Sequence, residues 1–490
     1  MARIDESGTA EDRGYRGSLT KIEPYGIEHI PDVERHGKAS SQFFIWFAAG
    51  MNFPIIVLGF SAAYLGLSMG QAVVAILAAA LIGAALMGLL ARMGVKLGVP
   101  QQMQARGPLG FIGNLPPVAY VNVFAGIGWA AVTVILGGKA IAEVTSIPFW
   151  ATSLGLMLLQ LGVAVMGYNL IHYLQRVLAI VLFFAFIMIT VVSVANSGGM
   201  QLAANPSAEG FLGAGSWITF FGYFLSFLIA WLPFASDYSR YLPDTAASRR
   251  GAGIFTLLGN FVTVAWMGIV GVVLAGSATS DDPITALNTL MGPWAIPGLL
   301  AVALSSFSQN FLNVYGGAIS IQTMGVPVKR HVAVVFICAA SYLVALWGEH
   351  GFYEGFTVFL NLTAYFIAPY AAVLICDFYR GHRQTKQGIA ELFDKSRRFE
   401  WGFVAWLIGV IGSMPFWVSS LYTGPFAAAN PQAGDLTFYV GAVIAVVVYL
   451  ATARLPRLAP GKAGTAGSHR KADVAPISAG SPEPASDELV

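Results

Sequence analysis

The polar residues of this chain that could bind a ligand lie inside an otherwise apolar stretch. Residues 305–313 read Ser-Ser-Phe-Ser-Gln-Asn-Phe-Leu-Asn. An amide such as that of Asn310 or Asn313 offers a donor and an acceptor from one group, so it can pair with the adjacent acceptor and amino group of a base. A buried amide costs free energy unless it has a partner. This stretch therefore needs partners within the protein or from a ligand.

Two tryptophans and one further amide lie beside interruptions or small residues. Trp129 follows Gly126-Ile127-Gly128, Trp231 precedes Leu232-Pro233, and Asn52 precedes Phe53-Pro54. Two indole rings could sandwich a flat ring, a contact worth on the order of 1–3 kcal/mol per base. Because no formal charge flanks these positions, we expect a neutral ligand. Helix dipoles could also hold an amino acid or an organic cation, but a flat uncharged heterocycle suits tryptophan faces and amide groups better. The structural alternative is that the polar side chains only join helices by hydrogen bonds.

The elements that must position these residues are interrupted helices. The first and sixth long apolar segments are broken at Gly50-Met51-Asn52-Phe53-Pro54 and at Trp231-Leu232-Pro233. In a bilayer, backbone freed from helical pairing is tolerated only where protein or a water-filled cavity satisfies it. Matching breaks in two halves of a chain therefore predict an inverted-repeat transporter with its ligand site at the breaks.

The composition predicts that the lipid bilayer is the solvent of this chain. Apolar residues make up 56% of 490 residues and charged residues 11%, which is more apolar surface than one soluble core can bury. If stretches of about 20 apolar residues are spans, the chain is an all-α integral membrane protein with about twelve transmembrane helices. They are expected near residues 41–66, 71–92, 116–140, 148–168, 173–196, 214–243, 252–277, 297–320, 330–348, 352–379, 401–423 and 436–455.

The distribution of basic residues predicts the orientation. With the N-terminus inside, nearly all Lys and Arg fall on the inner side, as expected of cytoplasmic loops, and Lys139 is the exception. Its side chain is expected to reach the outer headgroups. We therefore expect a multi-pass protein of the plasma (inner) membrane. Its cytoplasmic tails would be residues 1–40 and 456–490, the second of them disordered. A net charge of +2 does not indicate a nucleic-acid partner, and no obligate protein partner is predicted.

The sequence carries none of the common catalytic or metal-binding motifs. The sequence contains neither a Gly-rich phosphate loop ending in Lys-Ser/Thr nor His-Glu-x-x-His, which argues against an ATP-driven pump and a membrane enzyme. Cys338 and Cys376 lie in separate segments without a partner pattern, so they are expected to pack. No cofactor is expected, and no metal beyond a possible Na⁺. Asp237, Arg240 and Asp377 end two segments and are gate candidates, although charges at helix ends occur equally without such a role.

Several motifs together resemble the nucleobase:cation symporter-1 family, and most closely its purine-cytosine permease branch. The likeness covers roughly residues 20–455. It is carried by Glu23-Pro24-Tyr25-Gly26-Ile27-Glu28-His29-Ile30-Pro31, Glu34-Arg35, Trp46 to Asn52, Gly128-Trp129, Trp231 to Tyr241, and Ala368-Pro369 leading to Asp377-Phe378. The resemblance implies a transporter domain over residues 41–455. It would contain five spans repeated in inverted orientation, about 41–196 and 214–379, plus two further helices at about 401–455.

The resemblance also implies roles for individual residues. Substrate would lie between the first, third, sixth and eighth spans, with Trp129 stacking on the base and Trp231 touching it. Asn313, with Asn310 or Gln309, would read its polar edge. Thr133 stands where relatives often carry an amide, and Leu312 where some carry Pro. A coupling cation, Na⁺ or H⁺, would meet the carbonyls of the first break and hydroxyls of the eighth span. The residues implied for that cation site are Ala49, Asn52, Ser305 and Ser308.

The resemblance therefore predicts secondary active import of cytosine, a purine or a related neutral heterocycle by alternating access. Permeases for allantoin, hydantoin or hydroxymethylpyrimidine belong to the same family and form one alternative. A receptor that binds a nucleobase without transporting it is an alternative of another class. Tails of about 40 and 35 residues are short for a signalling module, which disfavours the receptor.

Overall fold

The computed structural model describes residues 15–197, 215–278, 280–381, 383–452, 454–456 and 458. Within these ranges the fold is all-α, as predicted. Nine helices are long and apolar enough to cross a membrane, and a bent pair makes a tenth. Two shorter apolar helices, Trp401–Phe416 and Thr437–Thr452, lie where the last two segments were expected.

The helices of the first half include both halves of the first segment. The bounds are α1 Ser41–Gly50, α2 Phe53–Phe60, α3 Met69–Leu97, α4 Gln101–Gln104, α5 Arg106–Leu109, α6 Leu115–Val121, α7 Trp129–Thr145, α8 Phe149–Met166 and α9 Tyr168–Asn196. A π-helical segment, Asn122–Gly128, joins α6 to α7 within the third segment. Sequence patterns did not predict it. It places Trp129 at the first position of a regular helix.

The second half begins with the second interrupted helix. The bounds are α10 Gly215–Trp231, α11 Ala246–Gly276, α12 Pro283–Met291, α13 Ala295–Thr323, α14 Arg330–Gly348, α15 Phe352–Tyr379, α16 Lys386–Glu391, α17 Trp401–Ser413, α18 Pro425–Ala429 and α19 Thr437–Thr452. Helices at corresponding positions of the two halves pack on each other: α3 on α11, and α7 on α13. The inverted relation of the halves stays a prediction.

Both predicted breaks are confirmed. The first segment bends by 53° between α1 and α2, and Asn52 at the bend has an extended backbone. Pro54 lies in the first turn of α2, where its missing N–H costs no helical hydrogen bond. The sixth segment changes from α-helix to a 3₁₀ helix over Leu232–Tyr238, with Pro233 again in the first turn. Each break therefore follows from a proline placed where a helix can begin but not continue.

Part of the N-terminal segment packs against the helices. Tyr15 and Ile30 are buried, and they cluster with Tyr168 at the start of α9 and with Tyr241 after the 3₁₀ helix. The Ile30 N–H donates to the carbonyl of Gly98. The predicted tail of residues 1–40 thus includes a docked stretch from residue 15 onward. The predicted disorder of residues 456–490 falls almost entirely outside the described residues.

Candidate functional site

The side chain of Asn52 forms hydrogen bonds to both helices that meet at the first break. Asn52 caps α2: its Oδ1 accepts from the Ile55 N–H at 3.2 Å, and its Nδ2 donates to the Ala49 carbonyl at 2.6 Å. The side chain is fully buried. The amide that was predicted to touch substrate is therefore engaged in holding the broken helix together.

The polar stretch of α13 connects four other helices. Ser306 donates to the Thr133 carbonyl on α7, and Asn310 Nδ2 donates to the Ala130 carbonyl at 3.1 Å. Asn310 Nδ2 also meets Gln160 Oε1 on α8 at 2.7 Å. On the other side of the helix, Ser308 Oγ lies 3.1 Å from the Ala48 carbonyl on α1. The stretch thus joins the broken helix to the third and fourth segments, and α9 joins it through Gln175.

Gln309 lies between these two sets of contacts and makes none itself. Its side chain is completely buried, yet neither Nε2 nor Oε1 has a hydrogen-bond partner among the described residues. Successive helical residues are rotated by about 100°, so Gln309 points between the α1 contact of Ser308 and the α7 contact of Ser306. Asn313, four residues on, shares that face. Asn313 Nδ2 donates to Asn310 Oδ1 at 3.2 Å.

Trp129 lies on the helix that this face approaches. Its ring is buried and meets Phe227 of α10 and Phe356 and Phe359 of α15 edge-on, with centroids 5.3, 5.9 and 5.5 Å away. The indole Nε1 has no hydrogen-bond partner in the described part of the chain. The ring is thus held by aromatic neighbours, and its one polar atom is left without a partner among the described residues.

Trp231 has a different aromatic partner that sequence reasoning missed. Its ring meets Trp46 of α1 edge-on at 5.6 Å, and Trp46 also meets Tyr238 at 5.5 Å. Trp46 is 1% exposed, and its Nε1 lacks a hydrogen-bond partner among the described residues. The signal was present, since Trp46 opens the motif that precedes the first break. Only the folded structure shows that Trp46 packs against Trp231.

Two predicted site hydroxyls donate within their own helices. Thr133 Oγ1 donates to the Trp129 and Ala130 carbonyls at 2.8 and 3.1 Å, and Ser305 Oγ to the Val302 carbonyl at 2.7 Å. Their roles towards substrate and cation stay predictions. Leu312 contributes its carbonyl, which accepts from the Tyr238 hydroxyl at 2.9 Å and so ties α13 to the 3₁₀ helix.

The gate candidates have separate partners. Asp237 Oδ1 accepts from the Gln101 N–H at 2.9 Å, whereas Asp377 accepts from Arg383 at 2.7 Å and from the Tyr449 hydroxyl at 2.6 Å. Arg240 pairs with Glu23 of the docked N-terminal segment at 3.0 Å. Sequence reasoning used Glu23 only as a family motif and missed this contact.

Glu23 is the centre of a buried ionic cluster. Besides Arg240, its carboxylate lies 3.6 Å from Arg330 Nε and accepts from the hydroxyls of Tyr241 and Tyr315 at 2.7 and 3.0 Å. Burial, with the Glu23 carboxylate as the next cause, holds the pKa of the Tyr241 phenol well above its usual range, so that phenol stays a donor. The cluster joins the N-terminal segment to α13, to α14 and to the stretch that follows the 3₁₀ helix.

Comparison with known proteins agrees with this arrangement. The sequence model of a family described as permease for cytosine/purines, uracil, thiamine, allantoin matches residues 29–441. The chain belongs to this family of nucleobase:cation symporters. Its members are transporters, not enzymes.

Individual relatives extend over nearly the whole chain. A Bacillus subtilis protein, YxlA, with a provisional purine-cytosine permease name, is 28% identical over 89% of this chain and 97% of its own. The purine-cytosine permease fcyB of Emericella nidulans is 29% identical over 88% of each chain. Mhp1, a nucleobase-cation-symport-1 family transporter solved in a closed conformation with bromovinylhydantoin bound, aligns with a TM-score of 0.73 at 19% identity. That alignment covers 89% of this chain and 96% of Mhp1. The fold is therefore that of this transporter.

Proposed function

We propose that this chain is a secondary active transporter that imports a nucleobase, cytosine or a purine, by cation symport. The observation that carries the proposal is the amide of Gln309, which is fully buried and has no partner for either polar atom in the described residues. An unsatisfied buried polar group costs about 1–3 kcal/mol. A base edge that offers an acceptor beside an amino group would satisfy both atoms of such an amide.

The surroundings of Gln309 favour a neutral, flat ligand. The side chains nearest to it along α13 are the uncharged Ser308, Asn310 and Asn313. Trp129 directly precedes Ala130, whose carbonyl accepts from Asn310. A heterocycle could stack on the indole while its edge meets the amides. The names of the relatives, which specify purines and cytosine, support the same class of substrate.

Transport requires the broken helices to change their contacts with α7 and α13. α1 and the 3₁₀ helix meet α13 through polar contacts such as Ser308 to Ala48 and Tyr238 to Leu312, and through the packed rings of Tyr238 and Tyr315. Such contacts can break and re-form without disturbing the regular helices. We infer that the base is released to the cytoplasm when these contacts and the Glu23 cluster open. We further propose residence in the plasma membrane with both termini cytoplasmic.

The coupling ion is proposed to be Na⁺ or H⁺. The C-terminal end of α1 carries partial negative charge and carbonyls without helical donors, which suits a cation. The Asn52 N–H donates to the Gly50 carbonyl instead of to that of Ala48, so the latter is free to meet Ser308. The Ala48 carbonyl and the Ser308 hydroxyl could hold such an ion. When bound, the ion would supply a positive charge at the break.

The test is uptake of radiolabelled cytosine by cells that express the chain, in competition with adenine, hypoxanthine, uracil, allantoin and hydroxymethylpyrimidine. We expect saturable uptake that competing purines reduce. Gln309→Ala and Asn313→Ala should each raise the half-saturating cytosine concentration about tenfold or more, equivalent to about 1.4 kcal/mol. Asn260→Ala is a matched control, because among the described residues that buried amide bonds only within its own helix, to the Thr256 carbonyl.

Three outcomes would count against this proposal. Unchanged uptake in both α13 variants would contradict the site. Uptake competed by allantoin or hydroxymethylpyrimidine but by no nucleobase would replace the substrate class. Binding of cytosine by the purified protein without uptake would favour the receptor.

A further inference from the structure

A side chain of the fifth segment reaches the junction of α1 and α13. Gln175 of α9 is fully buried, and its Nε2 donates to the Ser308 carbonyl at 2.9 Å. Its Oε1 lies 2.9 Å from Ser308 Oγ, the same hydroxyl that lies 3.1 Å from the Ala48 carbonyl. The contacts fix the orientation of the amide, because the reverse orientation would set two oxygens against each other at the Ser308 carbonyl.

Three oxygens therefore converge where only one proton is available. Ser308 Oγ carries a single hydrogen, which can serve either Gln175 Oε1 or the Ala48 carbonyl fully, but not both. Each of these oxygens comes from a different helix: α1, α9 and α13. The Ala48 carbonyl also lies in the last turn of α1, where the helix dipole favours positive charge. A cation would satisfy all three oxygens where a single proton cannot.

We propose that Gln175 Oε1 is a ligand of a monovalent cation site, together with the Ala48 carbonyl and Ser308 Oγ. A carbonyl, a hydroxyl and an amide are neutral oxygen donors, which suit a hard cation and do not select a transition metal. The three donors carry no formal charge, so they favour an alkali ion over a divalent one. The proposal rests on the proposed function, because such an ion matters only if its binding is coupled to import.

Gln175 would thereby couple the ion to the first break. An ion held by all three oxygens ties the end of α1 to α9 and α13, whereas the ion-free site has one hydrogen bond too few. Sodium should therefore stabilise the arrangement in which α1 is closed on α13. That effect is measurable without any transport.

The experiment uses the purified full-length protein in detergent. Its thermal unfolding midpoint is followed by tryptophan fluorescence as NaCl replaces choline chloride at constant ionic strength and pH. Sodium should raise the midpoint of the unchanged protein. The Na⁺ concentration for half of this effect should rise about tenfold or more in Gln175→Ala and Ser308→Ala, as expected when a metal site loses a ligand or its support.

Gln160→Ala is the matched control. Gln160 is also a fully buried amide bonded to α13, with the Ser306 carbonyl at 3.4 Å and Asn310 at 2.7 Å. Among the described residues its side chain forms no hydrogen bond to α1. Its loss should weaken cytosine binding and leave the half-effective Na⁺ concentration unchanged. If both glutamine variants shift the Na⁺ response equally, the shift reflects general packing and the proposal is wrong.

The same samples separate this proposal from the proposed function. An unchanged protein whose midpoint does not respond to Na⁺ overturns the cation site, even if cytosine binds. A Gln175→Ala protein that keeps the unchanged Na⁺ response overturns it as well. A normal Na⁺ response without binding of cytosine or a purine contradicts the nucleobase assignment and leaves the cation site standing.

Discussion

Buried side-chain amides are of two kinds in this protein: some bond to the backbone, and at least one has no partner among the described residues. Asn52 and Asn310 use their side chains to join backbone segments, whereas Gln309 has no partner in the described structure. In sequence these amides were equivalent candidates for ligand binding. What separates them is whether a carbonyl or N–H happens to lie within reach, and that depends on the bend at the first break and on the packing of α7 against α13.

At this scale we predict that Asn52→Ala chiefly affects stability. The substitution removes the cap of α2 and the bond to the Ala49 carbonyl. Loss of an N-cap costs about 0.5–2 kcal/mol, so the thermal midpoint should fall. Asn52→Asp keeps an acceptor for the Ile55 N–H and should recover most of that loss. A midpoint unchanged in Asn52→Ala, with a large loss of cytosine affinity, would show instead that the amide serves the substrate.

Among the elements, the N-terminal segment has the least obvious role from sequence. It has little apolar periodicity, yet Glu23 is completely buried and bonded to α13, to α14 and to Arg240 after the 3₁₀ helix. A buried ion pair contributes little net stability relative to an apolar packing, but removing one partner leaves an uncompensated charge. The segment therefore links α13, α14 and the stretch after the 3₁₀ helix through this buried ionic cluster.

We expect Glu23→Gln to weaken the buried ionic cluster around Glu23. Arg240 and Arg330 would lose their shared anion, and breaking a buried pair typically costs about 3–5 kcal/mol. The measurement is the thermal unfolding midpoint of the purified protein in detergent. Asp32→Asn is the control, because that carboxylate is 91% exposed in its pair with Arg35 and such pairs contribute little. Equal effects of the two substitutions on the thermal midpoint would contradict this stabilising role of Glu23.

For the whole molecule, the two halves pack backbone against backbone where α2 crosses α11. A Cβ on Gly59 of α2 would lie 2.1 Å from the Gly268 carbonyl oxygen of α11, and one on Gly271 would lie 2.1 Å from that of Ile56. Helices in lipid gain most by such close packing, because apolar side chains are solvated equally well by the bilayer. This contact sets the position of the broken helix against the second half.

Gly271→Ala should therefore destabilise the whole protein. The added methyl group meets backbone that cannot rotate away, and overpacking of this kind costs about 1–3 kcal/mol, occasionally more. Gly155→Ala on α8 is the control, since nothing lies within 4 Å of a Cβ there. The yield of monodisperse protein and its thermal midpoint are the measurements. A normal midpoint in Gly271→Ala would mean that α2 and α11 can separate without cost.

The sequence by itself determined the membrane class, the positions of both helix breaks and the family. These properties depend on local composition: a bilayer demands long apolar runs, and proline in the first turn of a helix marks where it starts anew. Gly128-Trp129 and the polar run of α13 could be recognised for the same reason. The π-helical segment before Trp129 could not, because its residues have no local pattern that distinguishes it.

Only the tertiary structure decided which polar groups are engaged. Gln175 meets Ser308 across 133 residues, and Glu23 meets Arg240 across 217. Trp46 meets Trp231 through a similarly remote contact. Hydrogen bonds between helices depend on the distance and angle of two atoms whose positions are set by all the packing between them. A single sequence gives the types of these residues but not which of them are in contact in the folded protein.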